Sequence, residues 1–406
     1  MFQRRIPELL RHAPTPGVRG FAVLAAVEST ARGMLISVFP ILMYRSLGDA
    51  QTVSEIYFLI GIISMVAALF IPWLTRFVPR RWLYTAGALT MIVGNMCAAT
   101  GIAWLVPVAL TAISIAVVVI TICFNAYVMD YVERSSLGNS ETLRLFYSAA
   151  AWTIGPFLGV WLMHYWNPAP FVVSIAACIL LLIIFWKLRL GDGKVITRAR
   201  RPAANPLAYL PRFFAQPRLI AGWIFAVIRS SGWWVYVIYL PIYAVEHDYS
   251  ESLGGIMLSI SNGLLFLTPL MLRWIHSKNV RHAVVFGFLG GGTAFITATL
   301  MAPIPAAVIA MLVVGSAFLI LLDICAGLPY LMAVKPSERT EMSAVYSTFR
   351  DVSGVLSPSV ARLVLAAAPL VAVFAVCGIS LAACGLLALK LHPRLGKRRL
   401  VGAYDI

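Results

Sequence analysis

Runs of about 20 mostly apolar residues recur along this chain with only short polar turns between them. In hydrocarbon a segment of that length can satisfy its own backbone N–H and C=O groups only as an α-helix. Twelve such runs are placed, near 19–44, 54–75, 83–103, 106–130, 143–166, 169–187, 219–244, 253–274, 283–302, 305–332, 342–366 and 368–391. Composition agrees: 61% of residues are hydrophobic and 12% charged, against roughly 45–50% and about 25% in a soluble domain. The expected fold is therefore an all-α integral membrane protein of twelve transmembrane helices.

The runs divide about a polar segment, Lys187–Arg218, which carries eight cations and the single acid Asp192. Such a Pro- and Gly-interrupted basic stretch does not cross a bilayer and belongs on the cytoplasmic face. The expected domains are a six-helix bundle over 1–186, a basic linker over 187–218 and a second six-helix bundle over 219–406. With both termini inside, inner segments hold 27 of the 32 Lys and Arg, and the outer loops hold only Arg45. The net charge of +16 then faces anionic lipid headgroups rather than nucleic acid. No Asn begins an N-x-S/T sequon, which fits a bacterial inner-membrane protein.

The halves echo each other. Pro72, Arg76, Phe77 and Val78 match Pro269, Arg273, Trp274 and Ile275. Tyr147–Ser148 with Gly155 matches Tyr346–Ser347 with Gly354, and Pro40–Ile41 matches Pro241–Ile242. Three matches in register, about 200 residues apart, point to an internal duplication and two pseudo-symmetric bundles.

Two six-helix halves, a basic central loop and a basic turn after spans two and eight together resemble the major facilitator superfamily. The family's G-x-x-x-D-R-x-G-R-R loop survives here as Arg76, Arg80 and Arg81, without its glycines and aspartate. In span five, Gly155, Pro156 and Gly159 resemble the G-x-x-x-G-P-x-x-G-G motif of the drug/proton antiporter branch, with Ala151 and Val160 at the outer positions. The resemblance implies a gating role for these residues and for Arg273. It also implies that spans one, four, seven and ten line a central cavity. Without the family's aspartate, Arg76 is expected to find an acid such as Glu338 or Glu341.

Ionisable groups inside a bilayer are costly and usually face a cavity or a partner. Glu28 and Arg32 are four apart in span one and share a helix face. Arg229 lies in span seven, Asp323 in span ten, and Arg350 and Asp351 in span eleven. Glu28, Asp323 and Asp351 are the expected proton-coupling acids. Arg350 is the expected partner of Asp323, and Arg362 is expected to snorkel toward the outer surface. Arg32, Arg229 and Arg350 are candidate substrate ligands, with Asn125, Tyr127, Trp152, Trp233 and Tyr236 beside them. Rings there suit an amphipathic or cationic solute, whereas the arginines suit an anionic one.

The six cysteines lie in apolar runs, the six histidines are scattered, and there is neither metal-ligand spacing nor a P-loop. The expectation is no enzyme, no cofactor and no metal. It is a monomeric, proton-coupled secondary transporter of a small solute, working by export or, with the arginines as ligands, by uptake of an anion. A lipid flippase and a non-transporting sensor are the remaining readings.

Overall fold

The structure is a computed structural model and describes residues 18–75, 77–131, 137–188, 210–334, 342 and 345–392. Among these, every regular element is a helix. The first half holds α1 (Val18–Gly33), α2 (Val38–Leu47), α3 (Ala50–Leu74), α4 (Arg80–Ala99), α5 (Leu105–Tyr131), α6 (Leu137–Tyr165) and α7 (Ala169–Lys187). After the linker come α8 (Leu210–Phe214), α9 (Pro217–Glu246), α10 (Glu251–Gly263), α11 (Thr268–Ser277), α12 (Val280–Leu300), α13 (Pro305–Cys325), α14 (Leu328–Ala333), α15 (Phe349–Leu365) and α16 (Val371–Ala388).

Ten helices among the described residues are long and apolar enough to span a membrane, taking Val18–Leu47 as one. The other two expected spans are not among them, one being interrupted and the other short. The eighth is α10 and α11 joined by a 3₁₀ turn at Leu264–Leu267, and the eleventh is α15.

Span one is interrupted. A turn over 34–37 separates α1 from α2. Pro40 accounts for it: its ring would collide with the carbonyl of Ile36 in a continuous helix, but fits a first turn where no N–H is needed. Ser37 starts α2 without capping it, and its hydroxyl is buried without a partner. At the other end of α2, Gly48 takes φ 73° and closes the helix onto the Tyr44 carbonyl. Asp49 then caps α3, its Oδ2 accepting from the Thr52 N–H at 2.9 Å and the Thr52 hydroxyl at 3.1 Å. Burial alone would raise the Asp49 carboxyl. The N–H groups of Thr52, Gln51 and Ala50 and the Thr52 hydroxyl outweigh it and hold the group below its ordinary value.

The chain forms two compact units. One comprises the described residues of Met1–Leu35 and Ile63–Ile196; the other, those of Ile36–Ile62 and Thr197–Ile406. In the first unit α4 packs on α5 and α7, α1 on α6 and α7, and α6 on α7. In the second, α12 packs on α13 and α16, α9 on α15 and α16, and α15 on α16. These are the same five pairings shifted by six spans, the arrangement that an internal duplication produces.

Glycines set the closest crossings. A Cβ on Gly33 would lie 2.7 Å from the Ala151 carbonyl oxygen, and one on Gly155 would lie 2.7 Å from the Gly33 carbonyl carbon. The obstruction is backbone on both sides, so no side-chain rearrangement relieves it. Gly155→Ala is expected to destabilise the protein by about 1–3 kcal/mol through overpacking. A thermal-unfolding midpoint in detergent equal to wild type would contradict this crossing.

Candidate functional site

Each unit carries an arginine that is ion-paired to an acid and laid over an aromatic ring. In the first unit the i, i+4 spacing on α1 brings Arg32 Nη1 within 2.9 Å of Glu28 Oε1. The same guanidinium lies 5.5 Å from the centre of the Trp152 ring on α6. That ring reaches it because Gly33 and Gly155 let the two helices cross at backbone distance. Glu28 is the more enclosed partner, with its side chain 17% exposed.

In the second unit Arg229 Nη1 lies 3.2 Å from Asp323 Oδ1, joining α9 to α13. The indole N–H of Trp233, one turn further along α9, donates to Asp323 Oδ2 at 2.9 Å. Both carboxylate oxygens are thus engaged. Arg229 lies 5.3 Å from the centre of the Phe349 ring, and Arg350 5.6 Å from the same ring. Arg229 is 14% exposed, and its Nε is buried without a hydrogen-bond partner. Asp323 keeps 36% of its side-chain surface open.

This arrangement corrects the expected partnership. Asp323 pairs with Arg229, because positions 229 and 233 lie about one turn apart and face α13 together. Arg350 instead lies over Phe349. Asp351 is exposed.

Two aromatic candidates take packing positions. Tyr236 is fully buried, its hydroxyl 2.6 Å from Ser261 Oγ and 3.3 Å from the Met257 carbonyl. Tyr127 is 4% exposed, against Phe185 and Tyr131. Asn125 is exposed on α5. Of the gating candidates, Gly155, Pro156 and Gly159 are buried in α6 and Arg273 is exposed on α11. Arg80 and Arg81 begin α4. Arg76, Glu338 and Glu341 lie outside the described residues. No cluster of metal-ligating side chains occurs among the described residues.

At the end of the second unit away from the linker, the sequence reading missed two further pairs. Arg45 pairs with Glu251, and Arg362 Nε donates to Glu55 Oε1 at 2.9 Å. Arg362 therefore does not simply snorkel. Nothing local foreshadows these pairs, since their partners are 206 and 307 residues apart. They bind the ends of α2 and α3 to α10 and α15. Nearby, Tyr239 and Ser54, both fully buried, share a 2.6 Å hydrogen bond.

Two bundles of long apolar helices define an integral membrane protein. The sequence model of the Major Facilitator Superfamily matches residues 21–358, and the chain belongs to that superfamily. The match is to the superfamily as a whole and not to its drug/proton antiporter branch. No curated protein matches the sequence. Among solved structures, the nucleoside transporter NupG superposes with a TM-score of 0.71 at 13% identity, covering 92% of this chain and 99% of that one. A POT family transporter in complex with 5-aminolevulinic acid gives 0.74 at 14%, covering 95% and 99%. Likeness at this identity establishes the fold.

The exposed pairs are open to a direct check. Arg362→Glu alone sets two acids against each other and is expected to destabilise by about 0.2–1 kcal/mol. The double variant Arg362→Glu/Glu55→Arg should recover most of that loss in the thermal midpoint. An equal loss in both variants would remove the pair from the packing of this end.

Proposed function

We propose that the protein is a proton-coupled secondary transporter that exports a small amphipathic solute, with Glu28 and Asp323 as the proton-carrying acids. The observation that carries this reading is Asp323 held between Arg229 and Trp233 while part of its surface stays open. Protonating such an acid removes the charge that holds the arginine. The arginine's hydrogen-bonding preference changes at once, and so does the balance between conformations. In the first unit Glu28, Arg32 and Trp152 repeat the arrangement.

Export is the direction suggested by the Gly155–Pro156–Gly159 signature. The bundles 1–186 and 219–406 would alternate access to the two sides of the membrane, with Arg80, Arg81 and Arg273 at the gates. The basic linker and basic termini would lie in the cytoplasm of a bacterial cell, against anionic inner-membrane lipid. A monomer would suffice. Asp351 and Arg350 would act beside Asp323, and Asn125 would hydrogen-bond the solute.

A second reading has a specific observation behind it. Both arginines lie over aromatic faces, so each stays in place when its acid is neutralised and then offers a free fork to an anion. On that reading the protein takes up or exchanges an anionic solute with protons.

Proteoliposomes with an imposed pH gradient separate the two. An inward proton gradient should drive solute outward on the first reading and accumulate it on the second. Glu28→Gln and Asp323→Asn are each expected to reduce proton-driven flux at least about tenfold, the scale of one lost charge-assisted contact. Unchanged flux in both variants would refute the assignment.

A further inference from the structure

The linker ends in α8, a helix of five residues, LPRFF. A helix so short has little stability of its own. Its first phenylalanine nevertheless buries completely. Phe213 is 0% exposed and sits among Leu219, Tyr330, Val334, Met342 and Val345. What it touches is the start of a continuous aromatic column. The Phe213 and Tyr330 ring centres are 6.5 Å apart. Tyr330 stacks on Tyr346 at 3.8 Å with 10° between the planes. Tyr346 meets Phe349 at 5.3 Å, and Phe349 is the ring under Arg229.

Tyr330 links the linker to the charged site. It lies on α14, which the turn at 326–327 separates from α13 and Asp323. Its neighbours include Phe213 from the linker, the stacked Tyr346, and α9, where a Cβ on Gly222 would lie 2.7 Å from the Tyr330 Cβ. Interiors are close-packed, so a ring that shifts carries its stacked neighbour with it. Arg229 is sensitive to such a shift, because its position depends on one carboxylate oxygen and one ring while its Nε finds no partner.

We propose that Phe213 is a positioning residue for the Arg229–Asp323 pair, acting through Tyr330, Tyr346 and Phe349. The linker then does more than join two halves, since its docked end sets the geometry of the charged site. This rests on the reading above that the pair is where the carrier works, but it can be tested without transport.

Trp233 reports on the pair directly, through its hydrogen bond to Asp323. The full-length protein is labelled with 5-fluorotryptophan, and the Trp233 resonance is identified by its loss in Trp233→Phe. Phe213→Ala should shift that resonance. Phe349→Ala should shift it too, and the double variant should fall short of the sum. The coupling expected is roughly two- to thirtyfold in the equilibrium between pair geometries, the range for residues linked through packed neighbours. Phe213→Leu keeps most of the volume and should return the signal to its wild-type position; Phe213→Val grades the effect if the alanine variant does not fold.

A Phe213 variant that folds, melts earlier and leaves the Trp233 resonance in place would overturn the proposal and reduce the ring to a packing role. Additive shifts from Phe213 and Phe349 would overturn it as well. The proton reading has a separate readout in the same sample. If the wild-type Trp233 resonance did not titrate with pH, or titrated identically in Asp323→Asn, Asp323 would lose its proton role whatever Phe213 did.

Discussion

An ion pair inside hydrocarbon is the constraint that the second unit is arranged to meet. An isolated guanidinium or carboxylate at that depth costs at least about 2.5–3.5 kcal/mol, and removing one partner of an enclosed pair typically costs about 3–5 kcal/mol. Arg229 and Asp323 come from different helices, so their neutralisation fixes α9 against α13 in register as well as in distance. Trp233 takes the second carboxylate oxygen, and the guanidinium lies over the Phe349 ring. In the first unit the charge problem is solved within one helix, by Glu28 and Arg32. The crossing of α1 with α6 is left to glycine and to the Trp152 ring.

These two solutions make different mechanical demands. An i, i+4 pair travels with its helix and opposes no motion between helices. A pair between α9 and α13 does oppose it, and any rearrangement of those helices must first break or re-form it. On the proposed proton-coupled reading, protonating Asp323 would act on helix packing directly, whereas protonating Glu28 would act mainly on what Arg32 offers to a solute. The duplication repeats the ingredients without repeating the mechanics.

Much of this was legible in the chain. Apolar run lengths located the helices, most within a few residues, because backbone satisfaction in lipid leaves no alternative to a helix. The i, i+4 geometry gave Glu28–Arg32, since it needs no tertiary information. What stayed hidden depended on rotation about long helices and on distant approach. Arg229 rather than Arg350 meets Asp323 because of which face of α9 turns to α13. Tyr236 looks like a cavity residue in sequence, yet its hydroxyl is used by Ser261. The two Pro-Ile pairs look alike, but their outcomes differ. Pro40 begins a new helix after a break. Pro241 stays inside α9, where Gly254 makes room for its ring: a Cβ there would lie 2.8 Å from that of Pro241. Arg45–Glu251 and Arg362–Glu55 follow from no local pattern at all.

The aromatic partner of each arginine explains why the pair can be a working part instead of a permanent staple. A guanidinium held only by a carboxylate has nowhere favourable to remain once that carboxylate is protonated, and would swing away or draw in water. Over a ring it keeps an electrostatic partner that does not titrate, worth about 0.5–2 kcal/mol depending on how dry the site is. On the proposed reading the cation would stay near where it was, with its donors released. On that reading, a proton on the acid would convert a closed pair into an oriented set of donors. That conversion is chemistry a carrier can use in either direction, and it requires the acid, the arginine and the ring together, as both units possess them.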